Sequence, residues 1–211
     1  MDFSFVHISK TGGETIEALL CIKKTHAPAK QRELKEYSFT FVRNPYTRLY
    51  SWYNHLRKHL YLNELETNEL NNRSQCYRRL KRGMLMGPIP HRQLAVKYDF
   101  SQWVKILLKN KNDPKFSEPP YGPLGTQYNI LYDDDGNLLV SDIFRFENYR
   151  DELSKLLTKL GKEHLIKKIQ VTNASKNNIK VEDAYDDELK ELVYEYFKKD
   201  FETFGYSKDS I

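Results

Sequence analysis

Two short polar segments, each directly after an apolar run, carry residue types that hold anions. In the first, Phe3-Ser4-Phe5-Val6-His7-Ile8 leads into Ser9-Lys10-Thr11-Gly12-Gly13-Glu14-Thr15. In the second, Ser38-Phe39-Thr40-Phe41-Val42 leads into Arg43-Asn44-Pro45-Tyr46-Thr47-Arg48, with Ser51 about two helical turns beyond Arg43. A strand that feeds a turn and then a helix leaves backbone N–H groups and the positive helix end facing one point, which suits an anion. Gly12 and Gly13 let the backbone approach closely and adopt positive φ. Lys10 adds a point charge, and Thr11 and Thr15 add hydroxyl donors. Arg43, at the end of an apolar strand, needs a partner. A carboxylate of the fold would serve it as well as a ligand, and the first segment also reads as a tight strand–helix turn with an exposed lysine. Two such turns together imply one ligand with two separate anionic groups.

The elements that must position these turns follow from periodicity. Residues 3–8 and 38–42 are apolar runs of the kind found in central parallel strands. Helical spacing follows each: residues 14–22 after the first, and Leu49, Trp52, Tyr53, Leu56 and Leu60 after the second, where Asn44 suits the N-cap and Pro45 the first turn. Residues 23–37 form a basic connector holding His26. Residues 63–92 read as exposed helix and loop, with Arg73, Arg78, Arg79, Lys81 and Arg82 clustered; Phe100 to Leu108 mark a short helix, and 113–125 a long Pro- and Gly-rich loop. Ile130-Leu131-Tyr132 and Leu138-Leu139-Val140 flank Asp133 to Asn137 as a hairpin. Ile143 to Phe146 is a third strand, Leu153 to Leu160 a helix stopped by Gly161, Ile169 to Val171 strand-like, and Leu189 to Phe204 the last helix. Strands alternating with helices imply an α/β fold with a central, mainly parallel sheet, binding ligand at the carboxyl ends of its strands. The chain, 211 residues, is long enough for a single domain with a substantial core, and residues 63–125 read as an insertion that shapes an acceptor cleft.

Composition narrows the class. The net charge of +5 favours an anionic partner, although a solvated Lys-rich surface gives the same number. The two cysteines, Cys21 and Cys76, indicate no disulfide framework, and no Cys or His spacing matches a zinc site, so no metal is expected. Cys21, at helical spacing from Ile16, reads as a buried thiol. No apolar run approaches a membrane span, and the N-terminus has neither a basic n-region nor an apolar h-region, so no signal peptide and a cytoplasmic location are expected. The first turn is not a Walker A sequence: that pattern spaces its glycines by four residues and ends Gly-Lys-Ser/Thr, whereas Lys10 precedes the glycine pair here.

Together the two segments resemble the signature regions of sulfotransferases that use 3′-phosphoadenosine 5′-phosphosulfate. In that family a Pro-Lys-Thr-Gly-Gly-Thr-Ser loop cradles the 5′-phosphosulfate, and an Arg-Asn-Pro-x-x-Arg-Leu-x-Ser segment binds the 3′-phosphate. Gln127, the region from Asp142 to Asn148, and the ending from Leu192 to Tyr206 look like the carbohydrate-directed, Golgi-type branch. The resemblance implies a P-loop-like fold and a donor site made of Lys10, Thr11, Gly12, Gly13, Glu14 and Thr15 at one end and Arg43 and Ser51 at the other. Asn173-Ala174-Ser175-Lys176 resembles a late family segment, which would bring Ser175 and Lys176 to the 3′-phosphate; a plain loop reads equally well. Lys10 would neutralise the leaving oxygen. His26 is the preferred base, since relatives often carry a histidine after the first helix; an exposed connector histidine is the other reading. Glu14 and Glu17 are rival bases, and His7 reads as a hydrogen-bonded core histidine. Two departures stand out: Ser9 replaces the family's Pro, and Glu14 places a carboxylate where the family has Thr. Some relatives carry His-Trp where Tyr121-Gly122-Pro123-Leu124 stands, so acceptor contacts do not carry over. The implied partner is a carbohydrate or other hydroxyl compound, acidic if the Arg73–Arg82 cluster binds it, with no nucleic acid and no metal. The alternatives are a P-loop nucleotide kinase and a non-catalytic module for polyanions or glycans.

Overall fold

The computed structural model describes residues 2–23, 26–66, 90–113, 116, 122–169 and 180–211, with backbone alone for 58–66 and 90–92. It is an α/β fold whose described strands form one parallel sheet in the order β1 (Phe3–Val6), β2 (Tyr37–Val42), β3 (Asp142–Arg145). Phe5 lies opposite Phe39, and Phe41 opposite Phe144. Partners in register share a face, so period-two alternation sorts the sheet into two unlike surfaces. Phe5 stacks on Phe39 at 5.2 Å between ring centres, and Phe41 on Phe144 at the same distance. This aromatic face is covered by helix α1 (Gly13–Leu20), through Ile16, and by Leu153, Leu156 and Leu157 of a helix spanning Tyr149–Lys159. Each of those three leucines is fully buried, which stabilises by about 1.5–3 kcal/mol apiece. The opposite face, with Val6 and Val42, packs on Ile130, Leu131, Val140 and Phe204. Every residue of β2 is buried, as a central parallel strand requires.

Beside the sheet stands a second core built by helices α2 (Pro45–Glu66), α3 (Pro90–Lys97) and α4 (Phe100–Lys109) and the last helix, Asp187–Phe204. Tyr46, Tyr53, Trp103, Val193, Phe197 and Phe201 fill it. Asn44 caps α2 as its sequence position predicts: its side-chain oxygen accepts from the Tyr46 N–H at 2.9 Å.

Three expectations are corrected or fall outside these residues. Ile130 and Leu131 do not form a hairpin strand; they end a short helix, α5 (Gln127–Leu131), and only Tyr132 and Leu138 form a bridge. The start of α5 is held twice: locally the Thr126 hydroxyl accepts the Asn129 N–H at 3.3 Å, and from far in the chain the Asp200 carboxylate accepts the Gln127 and Tyr128 N–H groups at 2.9 and 2.8 Å. Cys21 is exposed, not buried. It sits at the C-cap of α1 with φ 52°, past the point where the apolar stripe ends, so the left-handed turn carries it outward. The strand expected at 169–171, Ser175, Lys176 and the Arg73–Arg82 cluster lie outside the described residues, save for Ile169. Completing the numbering, Tyr149–Lys159 is α6 and Asp187–Phe204 is α7.

Candidate active site

Both turns lie at the carboxyl ends of neighbouring parallel strands, β1 and β2. They are held together directly: Arg43 Nη1 donates to the Lys10 carbonyl at 3.1 Å. Lys10 has φ 72° and Gly12 φ 84°. A left-handed lysine costs roughly 1–2 kcal/mol relative to an ordinary conformation, so the turn is held by its surroundings.

Those surroundings explain both glycines, and not through a ligand. A Cβ on Gly12 would sit 2.5 Å from Tyr149 Cε2, and one on Gly13 would sit 2.3 Å from His7 Nε2. Tyr149, its phenol pushed up by burial and therefore protonated, donates to the Gly12 carbonyl at 2.6 Å. His7 follows Phe5 on the aromatic face, stacks on it at 5.4 Å, and places its ring beneath Gly13. The His7 Nδ1–H donates to Glu17 Oε1 at 2.6 Å, with the two side chains 4% and 10% exposed. Glu17 shares the inward stripe of α1 with Gly13, Ile16 and Leu20, at 3–4 spacing.

Among the described residues, no protein group accepts from the N–H of Thr11, Gly12 or Gly13. These orphan donors at the N-terminus of α1, with half-buried Lys10 beside them, fit an anion. The Thr11 hydroxyl does not join them: it is fully buried and donates to the Ile8 carbonyl at 2.8 Å, so Thr11 offers only its backbone. Glu14 is exposed in the first turn of α1, where the helix end favours its carboxylate. Thr15 is half-buried one residue on. His26 reaches this turn from the connector. Its Nδ1 lies 3.3 Å from the His7 carbonyl and 3.5 Å from Ser9 Oγ, and its ring centre is 4.3 Å from that of His7.

The second turn is built differently. The N–H groups of Arg43 and Asn44 already have protein partners. The Arg43 N–H donates to Gln127 Oε1 at 2.9 Å, Gln127 Nε2 donates back to the Arg43 carbonyl at 2.8 Å, and the Asn44 N–H donates to Glu147 Oε1 at 2.7 Å. Tyr206 donates to the other Glu147 oxygen at 2.9 Å, and Asn44 Nδ2 donates to the Ser210 carbonyl at 2.7 Å, so the tail is fastened here. The expectation of free amides at this turn is therefore corrected: its capacity for an anion rests on side chains. Arg43 Nε donates to Thr47 Oγ1 at 3.0 Å, and the guanidinium lies 4.3 Å over the Phe146 ring. Burial lowers its pKa to about 10, opposed by Glu147, so it stays cationic at neutral pH. Ser51 is half-buried on α2.

Gln127 and Arg48 support the site, roles not read from the sequence, where Gln127 is only a mark of the resemblance and Arg48 only part of the second segment. Arg48, 1% exposed, donates through Nε to the Ser9 carbonyl at 3.3 Å and through Nη2 to the Gly125 carbonyl at 2.8 Å. Burial lowers its pKa to about 10, and the Asp200 charge opposes that. The signal was an arginine one turn into a helix that is otherwise apolar on that side.

This arrangement sets orphan amides beside a lysine, with a second cation tied to the same turn and an imidazole packed against it, a set of groups suited to an anion. It suits transfer of a charged group. The chain matches the family model described as the sulfotransferase family over residues 2–207. It belongs to that family, and is thus a transferase of sulfuryl groups. No curated protein and no solved structure matches it. Among the described residues no group of three His, Cys, Asp or Glu could hold a metal ion, and no helix is long and apolar enough to cross a membrane.

Proposed function

We propose that this sulfotransferase takes its sulfuryl group from 3′-phosphoadenosine 5′-phosphosulfate and passes it to a hydroxyl of a carbohydrate acceptor. The observation that carries the reading is the Arg43–Lys10 bond, which sets two cationic turns side by side at adjacent strand ends. A ligand with two anionic ends fits that pairing better than a single phosphate does. We assign the 5′ end of the donor to the backbone N–H groups of Thr11, Gly12 and Gly13, with Glu14 and Thr15 beside them in the first turn of α1, the Thr15 N–H itself donating to the Gly12 carbonyl at 3.2 Å; we assign the 3′ end to Arg43 and Ser51, together with Ser175 and Lys176.

The donor supplies a sulfuryl group on a phosphate leaving group. Sulfuryl transfer resembles phosphoryl transfer, an in-line displacement in which charge develops on the leaving oxygen. Lys10 places its ammonium where that charge grows, and the orphan amides face the equatorial oxygens. His26 accepts the proton of the acceptor hydroxyl, the role an imidazole commonly plays near neutral pH. Glu14, exposed at the mouth of the turn, is the other proton acceptor within the loop. Residues 1–211 act as one sulfotransferase domain, with 63–125 lining the acceptor cleft, and no metal takes part.

The test is calorimetry with adenosine 3′,5′-bisphosphate against adenosine 5′-phosphate. The bisphosphate binds at micromolar concentration, and loss of the 3′-phosphate costs at least about 1.4 kcal/mol, or tenfold. The Arg43→Ala variant erases that difference. No binding of the bisphosphate at high micromolar concentration refutes the donor. A screen of sugar and non-sugar hydroxyl compounds with labelled sulfate donor then identifies the acceptor class; label transfer confined to phenols or peptides refutes the carbohydrate.

A further inference from the structure

The His7–Glu17 pair is the chemistry-bearing cluster that the proposed mechanism leaves unused. It is an ionisable pair buried within the aromatic core, 2.6 Å between Nδ1 and Oε1. Stability does not account for it. Two well-packed apolar side chains in place of a buried ion pair are often neutral or stabilising, because both groups lose their hydration on burial. What the pair gives is position. The ring it fixes lies under Gly13 so closely that a single Cβ would meet three of its atoms, at 2.3, 2.4 and 2.7 Å. The ring therefore forms the floor of the turn that carries the orphan amides. The backbone of the same residue then reaches the other side of the site, since the His7 carbonyl faces His26 Nδ1 at 3.3 Å.

We propose that Glu17 is a positioning residue which, through His7, sets both the floor of the donor turn and the tautomer of His26. The inference rests on the reading of His26 as the base. The logic is donor and acceptor chemistry. A carboxylate oxygen only accepts, so His7 carries its proton on Nδ1. A backbone carbonyl only accepts, so His26 also carries a proton on Nδ1, and in the neutral ring the lone pair lies on Nε2. A base needs that lone pair directed at the substrate proton. If His7 shifts, its carbonyl shifts with it, and the ring packed 4.3 Å from His26 no longer backs it. Glu17 itself is removed as a rival base: it is 10% exposed, it lies on the inward stripe of α1, and one oxygen is committed to His7.

The experiment uses the whole chain and three variants. Glu17→Gln keeps an amide oxygen that accepts from His7 Nδ1. Glu17→Met keeps the volume and removes the acceptor. His7→Leu/Glu17→Met removes both partners and should fold at least as stably as the parent. Two-bond nitrogen–proton spectra read the tautomers of His7 and His26, calorimetry reads binding of adenosine 3′,5′-bisphosphate, and single-turnover kinetics read transfer. The parent and Glu17→Gln show Nδ1–H at both histidines and transfer within about threefold of each other. Glu17→Met and the double variant weaken bisphosphate binding by up to about tenfold, as a loosened donor turn requires, and lose transfer by about 10–100-fold, the scale of a misplaced catalytic group. His26 in both then shows a mixture of tautomers. Should Glu17→Met fail to fold, the double variant carries the test.

Wild-type transfer by the double variant reduces the pair to packing and overturns the proposal. So does Glu17→Gln as inactive as Glu17→Met, which would make the Glu17 charge itself the base. A parent that neither binds the bisphosphate nor transfers sulfate overturns the donor reading instead. The histidine spectra distinguish the cases, because they are recorded without turnover.

Discussion

Gly13→Ala tests how the donor turn is held. The backbone of Gly13 lies outside the positive-φ region, so alanine fits its conformation; the obstacle is the His7 ring, 2.3 Å from the new Cβ at Nε2 and 2.4 Å at Cδ2. The ring cannot yield cheaply, since it is 4% exposed and tied to Glu17 at 2.6 Å. Overpacking a tight core costs about 1–3 kcal/mol. Moving the ring off Glu17 leaves a buried donor and acceptor poorly satisfied, about 1–3 kcal/mol more. Alanine returns at most about 1 kcal/mol of helix propensity, and less at the first position of α1. The net is about 1–6 kcal/mol, which in a chain of this size lowers Tm by about 2–24 °C. Thermal unfolding followed by circular dichroism measures it. The control is the same change in a His7→Ala background. All three of the nearest atoms to the added Cβ belong to His7, so the cost should there fall below about 0.5 kcal/mol, and the difference between the two backgrounds is the coupling. An equal cost in both backgrounds refutes the reasoning and returns Gly13 to the role of a general turn glycine.

Two further outcomes follow from the geometry. Lys10→Gly removes a left-handed side chain at φ 72°, so Tm holds or rises by a few degrees while transfer falls by at least about 100-fold, the usual loss of one charge-stabilising group; a variant that transfers normally refutes the role of Lys10. Arg48→Met strands the Ser9 and Gly125 carbonyls and removes the cation that opposes the burial of the Asp200 carboxylate, so urea unfolding should report a loss of about 3–5 kcal/mol, and a loss under about 1 kcal/mol would refute the clamp.

The sheet and most helices were legible because their signals are local. The runs 3–8 and 38–42 are too apolar for anything but buried strands, and Asn44-Pro45 announces the start of α2. Short α5 was missed because it is only five residues long; its local cap, Thr126, was readable, but the Asp200 carboxylate that holds the Gln127 and Tyr128 N–H groups lies far away in the chain. Cys21 was misread because one apolar stripe was extended a residue past its end. The lysine, glycines and arginine of the site could be found from type and spacing. The roles of their supports could not: whether a glycine faces ligand or protein depends on Tyr149 and His7, which only the packed structure brings there. The His7–Glu17 pair did leave a trace. His7 continues the Phe3, Phe5 face of β1, and Glu17 continues the Gly13, Ile16 stripe of α1, so strand and helix periods together point the two side chains at each other.

The two turns look alike as sequence, strand then polar turn then helix, yet they offer an anion different things. The first keeps the N–H groups of Thr11, Gly12 and Gly13 open and fills the space beneath them with protein rings. Those donors are fixed in place before any ligand arrives, which is what stabilising a developing charge requires, because nothing must reorganise as the charge forms. The second turn closes its own amides with Gln127 and Glu147 and leaves a guanidinium. A guanidinium over an aromatic ring suits a group that is held but does not react. On the donor proposed above, that difference gives the reacting end to Lys10 and its neighbours and the anchoring end to Arg43. The Arg43–Lys10 bond makes the anchor part of the reacting turn, so binding at the far end is felt where the bond breaks.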